Sequence, residues 1–204
     1  MVAEPRVFIV DDVKAVRESI RALVESVGLT AEAYASFPEF LDAYDPDRPG
    51  CLVLDVRMPD VSGIDALEKL KAQRTTIPVI IITAYGDVQT AVRAMKAGAV
   101  DFLEKPFNNQ VLLDRIQRCV VQNSANRLKR LKGEKVLARL ALLTPRERQV
   151  MDLVVAGKPN RAIAEELGIS RRTVEVHRAR VMRKMQADTV QTLMRMGVDT
   201  YVDN

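Results

Sequence analysis

Four short apolar runs in the first half of the chain end on side chains that can handle phosphate. Arg6 to Val10 (RVFIV) is followed by Asp11 and Asp12, and Cys51 to Leu54 (CLVL) by Asp55. Val79 to Ile82 (VIII) is followed by Thr83, and Val100 to Leu103 (VDFL) by Glu104, Lys105 and Pro106. Carboxylates brought close together repel unless a cation neutralises them. Oxygen donors with room for water suit Mg2+, which binds through one or two carboxylates together with a phosphate. A carboxylate can itself attack phosphorus and form an acyl phosphate when a metal, an ammonium and a hydroxyl offset the charge on the transferring group. Asp12 and Asp55 with Mg2+, Lys105 and Thr83 make up that inventory. Singly, each residue reads as a solvated turn, a cap or a surface lysine; it is the ordered set that points to chemistry.

Such a set works only if the runs are neighbouring strands of one sheet. Between them, Val16, Ile20, Leu23, Val24 and Val27 recur at helical spacing, as do Ile64, Leu67 and Leu70, and then Val88, Val92 and Met95. With Ala31 to Tyr34 as a fifth, weaker strand, the order is βαβαβαβαβα. Regular alternation with near-continuous apolar strands predicts a parallel sheet covered by helices on both faces. In such sheets the ligand site lies outside the carboxyl ends of the strands. Gly28, Gly50 and Gly98 stand where helices should stop.

The 204 residues predict two unequal compact units. The formal charge of +4 divides unevenly: residues 1–126 carry 14 Lys+Arg against 18 Asp+Glu, a net −4, and residues 127–204 carry 17 against 9, a net +8. A basic back half suits a polyanion such as nucleic acid. The spacing predicts a last front-half helix over about Asn108 to Val121, followed by a charged, amphipathic helical linker over Asn126 to Leu140, with Asn123, Asn126 and Gly133 as the available turn residues. Leu128, Leu131 and Leu137 make a seam too short for a coiled coil. Thr144-Pro145-Arg146-Glu147 is a capping signature for a helix to about Val155. Pro159 opens a second helix closed by Gly168, Ser170 caps a third to about Met185, and a fourth covers Thr189 to Met196. A short helix, a glycine turn and a longer basic helix are helix-turn-helix grammar.

In the third helix, SRRTVEVHRARVMRKM, Val174, His177, Val181 and Met185 share one face; Arg172, Glu175, Val176, Ala179 and Arg183 share another. The second face, led by Arg171, Arg172 and Thr173, suits major-groove insertion, and Arg178, Arg180 and Lys184 suit phosphates. Cys51 and Cys119, with His177 as the one histidine, cannot form a Cys/His zinc set and read as buried thiols. No window is apolar enough for a membrane span, and the start MVAEPRVFIVDD lacks a secretory pattern, so the expected location is the cytoplasm.

Val10-Asp11-Asp12, Leu54-Asp55-Val56-Arg57-Met58-Pro59-Asp60 with Gly63, Ile82-Thr83-Ala84 and Phe102-Leu103-Glu104-Lys105-Pro106-Phe107 together resemble the receiver domain of two-component response regulators, over about Pro5 to Val121. Leu143-Thr144-Pro145-Arg146-Glu147-Arg148, Gly157, Asn160, Ile163-Ala164, Leu167, Ile169-Ser170 and the run Thr173 to Ala179 resemble the LuxR-type helix-turn-helix of the NarL/FixJ regulators, over Leu142 to Gly197. Val-Glu-Val-His-Arg-Ala, Gly86-Asp87-Val88 and the stretch Ala94 to Phe102 resemble the FixJ branch.

The resemblance implies a flavodoxin-like, doubly wound five-stranded sheet in residues 1–122 and a four-helix DNA-binding domain in 142–204; the helical linker between them, 123–141, is read from the residues, and its length and lysine content depart from the family pattern. It implies that Asp55 accepts phosphate from a sensor histidine kinase. Mg2+ would be held by Asp12, Asp55 and the Arg57 carbonyl, with Asp11 acting through water. Thr83 and Phe102 would form the switch, and Lys105-Pro106 would be cis. The implied partners are double-stranded DNA and a second copy of the phosphorylated chain, with RNA polymerase as a further candidate. One rival is a regulator whose receiver is vestigial and whose DNA binding ignores phosphorylation. The other is an Asp-nucleophile phosphatase, which would need an acid two residues after Asp55, where Arg57 stands.

Overall fold

In the computed structural model, which describes residues 4–73 and 75–202, the first unit is a five-stranded sheet between two helical layers. The strands are β1 (Arg6–Val10), β2 (Thr30–Tyr34), β3 (Gly50–Asp55), β4 (Val79–Thr83) and β5 (Asp101–Glu104). They pair in the order β2-β1-β3-β4-β5, all parallel. Because successive side chains alternate faces, Phe8, Val10, Leu52, Leu54 and Ile81 pack on one side and Val7, Ile9, Cys51, Val53, Ile80 and Ile82 on the other. The first set meets α2 (Phe37–Ala43), α3 (Gly63–Ala72) and α4 (Val88–Ala97); the second meets α1 (Lys14–Glu25) and α5 (Asn109–Ala141). Both faces are covered, which is why the strands read as unbroken apolar runs.

Strand ends differ from the sequence reading by one residue. Asp55, Thr83 and Glu104 are the last residues of their strands, not the first beyond them, and Val100 lies outside β5. The ladder is carried further by the Val56 amide donating to the Ile82 carbonyl (3.0 Å) and the Lys105 amide donating to the Thr83 carbonyl (2.7 Å). Helix α2 is too short for a period to show; it forms because Ser36 accepts from the Glu39 amide and Pro38 occupies the first turn.

The expected break after Val121 is absent: α5 is one helix of 33 residues. Asn123 does not terminate it, because its side chain is engaged elsewhere, accepting from the Gly50 amide (3.0 Å) and donating to the Thr76 carbonyl (2.8 Å). Gln122 donates to Asn126 one turn on (3.0 Å). Gly133 weakens the helix by only about 1 kcal/mol, too little to end it. The chain divides into two compact units after Arg127, within this helix.

The second unit contains α6 (Pro145–Val155), α7 (Asn160–Leu167), α8 (Arg171–Met185) and α9 (Val190–Val202) around Val150, Met151, Ile163, Val174, Val181, Met185 and Leu193. Thr144 and Glu147 form a reciprocal capping box at α6, and Ser170 caps α8. Helix α9 runs past Met196, further than its spacing suggests.

Candidate functional site

The carboxyl ends of β1 and β3 bring Asp11 and Asp55 out of water, at 0% and 4% exposure. Lys105, from the loop after β5, reaches between them: its Nζ donates to Asp11 Oδ2 (2.5 Å) and Asp55 Oδ1 (2.7 Å). The remaining oxygens are also occupied. Asp11 Oδ1 accepts from the Val13 amide (2.9 Å) and Asp55 Oδ2 from the Arg57 amide (2.7 Å). Burial pushes the Asp55 carboxyl above its ordinary range, with Lys105 pulling it down and Asp11 pushing it up. For Lys105, burial alone disfavours the charge, but the two carboxylates outweigh it and the ammonium titrates above its usual value. Lys105-Pro106 is cis.

Thr83 is fully buried, and its hydroxyl accepts from the Tyr85 amide at 3.3 Å. Phe102 is half-buried against the α2–α4 layer. Asp12 is exposed, and among the described residues no three Asp, Glu, His or Cys side chains cluster tightly enough to hold a metal. Lys105 joins Asp11 and Asp55, with Asp12 next to Asp11 in sequence and exposed. Two buried carboxylates need a positive charge between them, and the lysine provides it.

Of three further neighbours, Arg17 had no signal in the sequence, and the side-chain contacts of Arg57 and Glu104 had none. Arg17 donates to the carbonyls of Asp11 (2.7 Å) and Asp12 (2.9 Å), holding the loop that presents both acids. The Arg57 guanidinium lies 4.2 Å from the centroid of the exposed Tyr85 ring, a cation–π contact at the site's rim. Glu104 accepts from the Gly86 amide (3.2 Å), and a Cβ at Gly86 would come within 2.9 Å of that side chain, so a larger residue there would push the exposed Glu104 side chain aside.

In the second unit, α8 buries Val174, Val181 and Met185 and exposes Arg171, Arg172, Thr173, Glu175, Val176, Ala179, Arg180 and Arg183. Arg178 and Lys184 are half-buried and engaged within the fold. Arg178 donates to Asn160 Oδ1. Lys184 donates to Glu147 Oε2 (2.5 Å) and the Leu142 carbonyl (3.1 Å). The sequence placed Lys184 among phosphate contacts; in the DNA-free chain its ammonium neutralises a buried carboxylate. Glu147 titrates at about 2, held down first by Lys184 and then by the Thr144 amide. His177 is half-buried, with a buried Nδ1 that has no hydrogen-bond partner among the described residues.

Residues 7–117 match the response regulator receiver domain, and residues 141–197 match the luxR family of bacterial regulatory proteins. The chain is 47% identical over 193 residues to the transcriptional regulatory protein FixJ of Rhizobium meliloti, covering 94% of each. It is 42% identical over 198 residues to FixJ of Bradyrhizobium diazoefficiens, covering 97% of each. Among solved structures, the response regulator StyR superposes with a TM-score of 0.87 at 43% identity, covering 96% of this chain and 98% of that one. A parallel sheet that gathers acids and a lysine at one edge, followed by a helix-turn-helix with a basic exposed row, agrees with these matches along nearly the whole length. The chain belongs to the two-component response regulators that join a receiver to a LuxR-type DNA-binding domain, and it is a transcription regulator of that family.

Proposed function

We propose that phosphoryl transfer to Asp55 from a partner kinase's phosphohistidine switches this chain's self-association and its affinity for DNA. The observation that carries this reading is the buried Asp11–Lys105–Asp55 arrangement at the sheet edge. Asp55 is held between a backbone amide and an ammonium, so its attacking oxygen is aimed while the charge arriving with phosphate meets a fixed cation. The donors at hand, Asp12, Asp55 and the Arg57 carbonyl with Asp11 behind, are hard oxygens and fit Mg2+, which when bound offsets charge on the transferring phosphoryl group. Lys105 compensates a phosphoryl oxygen. The Thr83 hydroxyl, already accepting from Tyr85, has its proton available to donate to another. Movement of Thr83 leaves room for the Phe102 ring to turn inward beside β4.

The receiver's output surface is suggested by apolar side chains that face water: Tyr85, Val88, Val92, Met95 and Val100 are each 45% exposed or more. Pairing of two chains there presents two α8 helices to a two-fold DNA site. Among the described residues no helix is long and apolar enough to cross a membrane, in keeping with a cytoplasmic regulator. A shift from mostly inactive to mostly active requires about 5.5 kcal/mol of differential stabilisation.

The test compares wild type with Asp55→Asn after acetyl phosphate and Mg2+, using intact mass and a DNA titration at fixed salt. The expected outcome is a phosphoryl adduct and tighter binding in the wild type and neither in the variant. If wild type binds DNA equally with and without the phosphodonor, the receiver is vestigial and this reading is wrong.

A further inference from the structure

The basic surplus of the second unit is concentrated before the helix-turn-helix begins. Between Leu128 and Ala141, the last part of α5 carries Lys129, Arg130, Lys132, Lys135 and Arg139 against a single acid, Glu134. Two of these cations have structural work. Arg130 pairs with Glu134 one turn on (3.0 Å), and Arg139 donates to the Met185 carbonyl (3.1 Å) and to Gln186 Oε1 (2.6 Å) at the end of α8. Lys129, Lys132 and Lys135 are exposed.

Their placement follows from the helix period. Val136 and Leu140 pack into the core of the second unit and, with Arg139, fasten the end of α5 to it. Counting back from Leu140 by four, four and three residues gives Val136, Lys132 and Lys129, one face of the helix. The face that is apolar at Val136 and Leu140 therefore becomes cationic in the preceding turns, at Lys132 and Lys129, with Lys135 alongside. The space there is open: a Cβ on Gly133 would meet nothing within 4 Å. Lys129 lies about 16 Å along the helix from Leu140. Long, flexible lysines without a fixed fork suit phosphate oxygens, which supply affinity and no sequence information.

We propose that Lys129, Lys132 and Lys135 form a second DNA contact, an electrostatic arm that binds backbone phosphates of the duplex flanking the site read by α8. This rests on the DNA-binding role of the second unit. A self-associating seam is a poorer occupant, since two copies of a face this basic repel, whereas a DNA duplex carries the complementary charge.

The test is the triple variant Lys129→Gln, Lys132→Gln, Lys135→Gln in the full chain, treated with beryllofluoride. Glutamine has nearly the helix propensity of lysine, and circular dichroism checks that α5 persists. Two duplexes of equal length serve as probes, one carrying a site selected by repeated rounds against the wild-type chain and one of random sequence. The expected result is a salt slope lower by about 2 to 3 on both duplexes, so that the variant's deficit grows on the order of 40-fold between about 200 and about 50 mM salt. The preference for the selected site should be unchanged, and the Lys→Arg triple should restore the slope. An unchanged slope overturns the arm, including the case in which the lysines serve an acidic protein instead. Failure of the wild type to prefer any selected site would overturn the DNA-binding reading itself, a separate result.

Discussion

Asp11 and Asp55 are both withdrawn from water, and one ammonium faces them. Removing it in Lys105→Ala should destabilise the receiver by about 3 to 5 kcal/mol, the range for breaking a buried pair. The loss should depend on pH in a fixed direction. A carboxyl whose folded pKa lies above its unfolded value takes up its proton first in the folded state, so stability recovers as pH falls through that folded value. Asp55 is already raised and rises further without Lys105. Urea unfolding should show a smaller penalty near about pH 5 than near about pH 8, and an equal penalty would contradict the charge argument. Glu147 has the opposite sign. Its carboxyl is held at about 2, so the stability it lends is complete above the unfolded value of about 4.3 and disappears as pH falls towards about 2. In Glu147→Gln, α6 amide exchange should indicate a loss on the order of 2 kcal/mol at neutral pH, and the acid sensitivity of that helix over this window should flatten. The acids, Thr83 and Lys105 were legible because each ends an apolar run. Arg17 was not, since its partners are backbone carbonyls that no side-chain pattern announces.

Secondary elements were legible where burial is two-sided or a terminator is local. Strands β1, β3 and β4 have no exposed residue, and Gly98 and Gly168 end their helices in the left-handed region that glycine tolerates. Helix α5 resisted this reading because Asn123 has turn chemistry by type but tertiary partners by position, 73 and 47 residues away. Asn123→Ala would leave the Gly50 amide and the Thr76 carbonyl without their amide partner, at a cost of about 1 to 3 kcal/mol. Hydrogen exchange at Gly50 should accelerate well ahead of that at Leu54. If the two amides keep their wild-type ratio, Asn123 is not the fastening at this end of the sheet.

For the molecule as a whole, the proposed pairing rests on the exposed apolar side chains of α4 and of the turns at both its ends. Val92→Glu places a charge among Val88, Met95 and Val100. It should weaken the proposed beryllofluoride-induced dimerisation by about tenfold or more without unfolding the sheet, as read by sedimentation against circular dichroism. Undiminished dimerisation would move the interface elsewhere. By itself the sequence determined the fold class, the helix-turn-helix, the charge split and the candidate chemistry at the strand ends, because hydrophobic period, capping residues and net charge are properties of neighbouring positions. Only the tertiary structure decided that Lys105 bridges Asp11 and Asp55, that Lys184 neutralises Glu147 and that α5 continues unbroken past Asn123. Those outcomes depend on distances between residues 37 to 94 positions apart, which the packing of elements sets and no local pattern encodes.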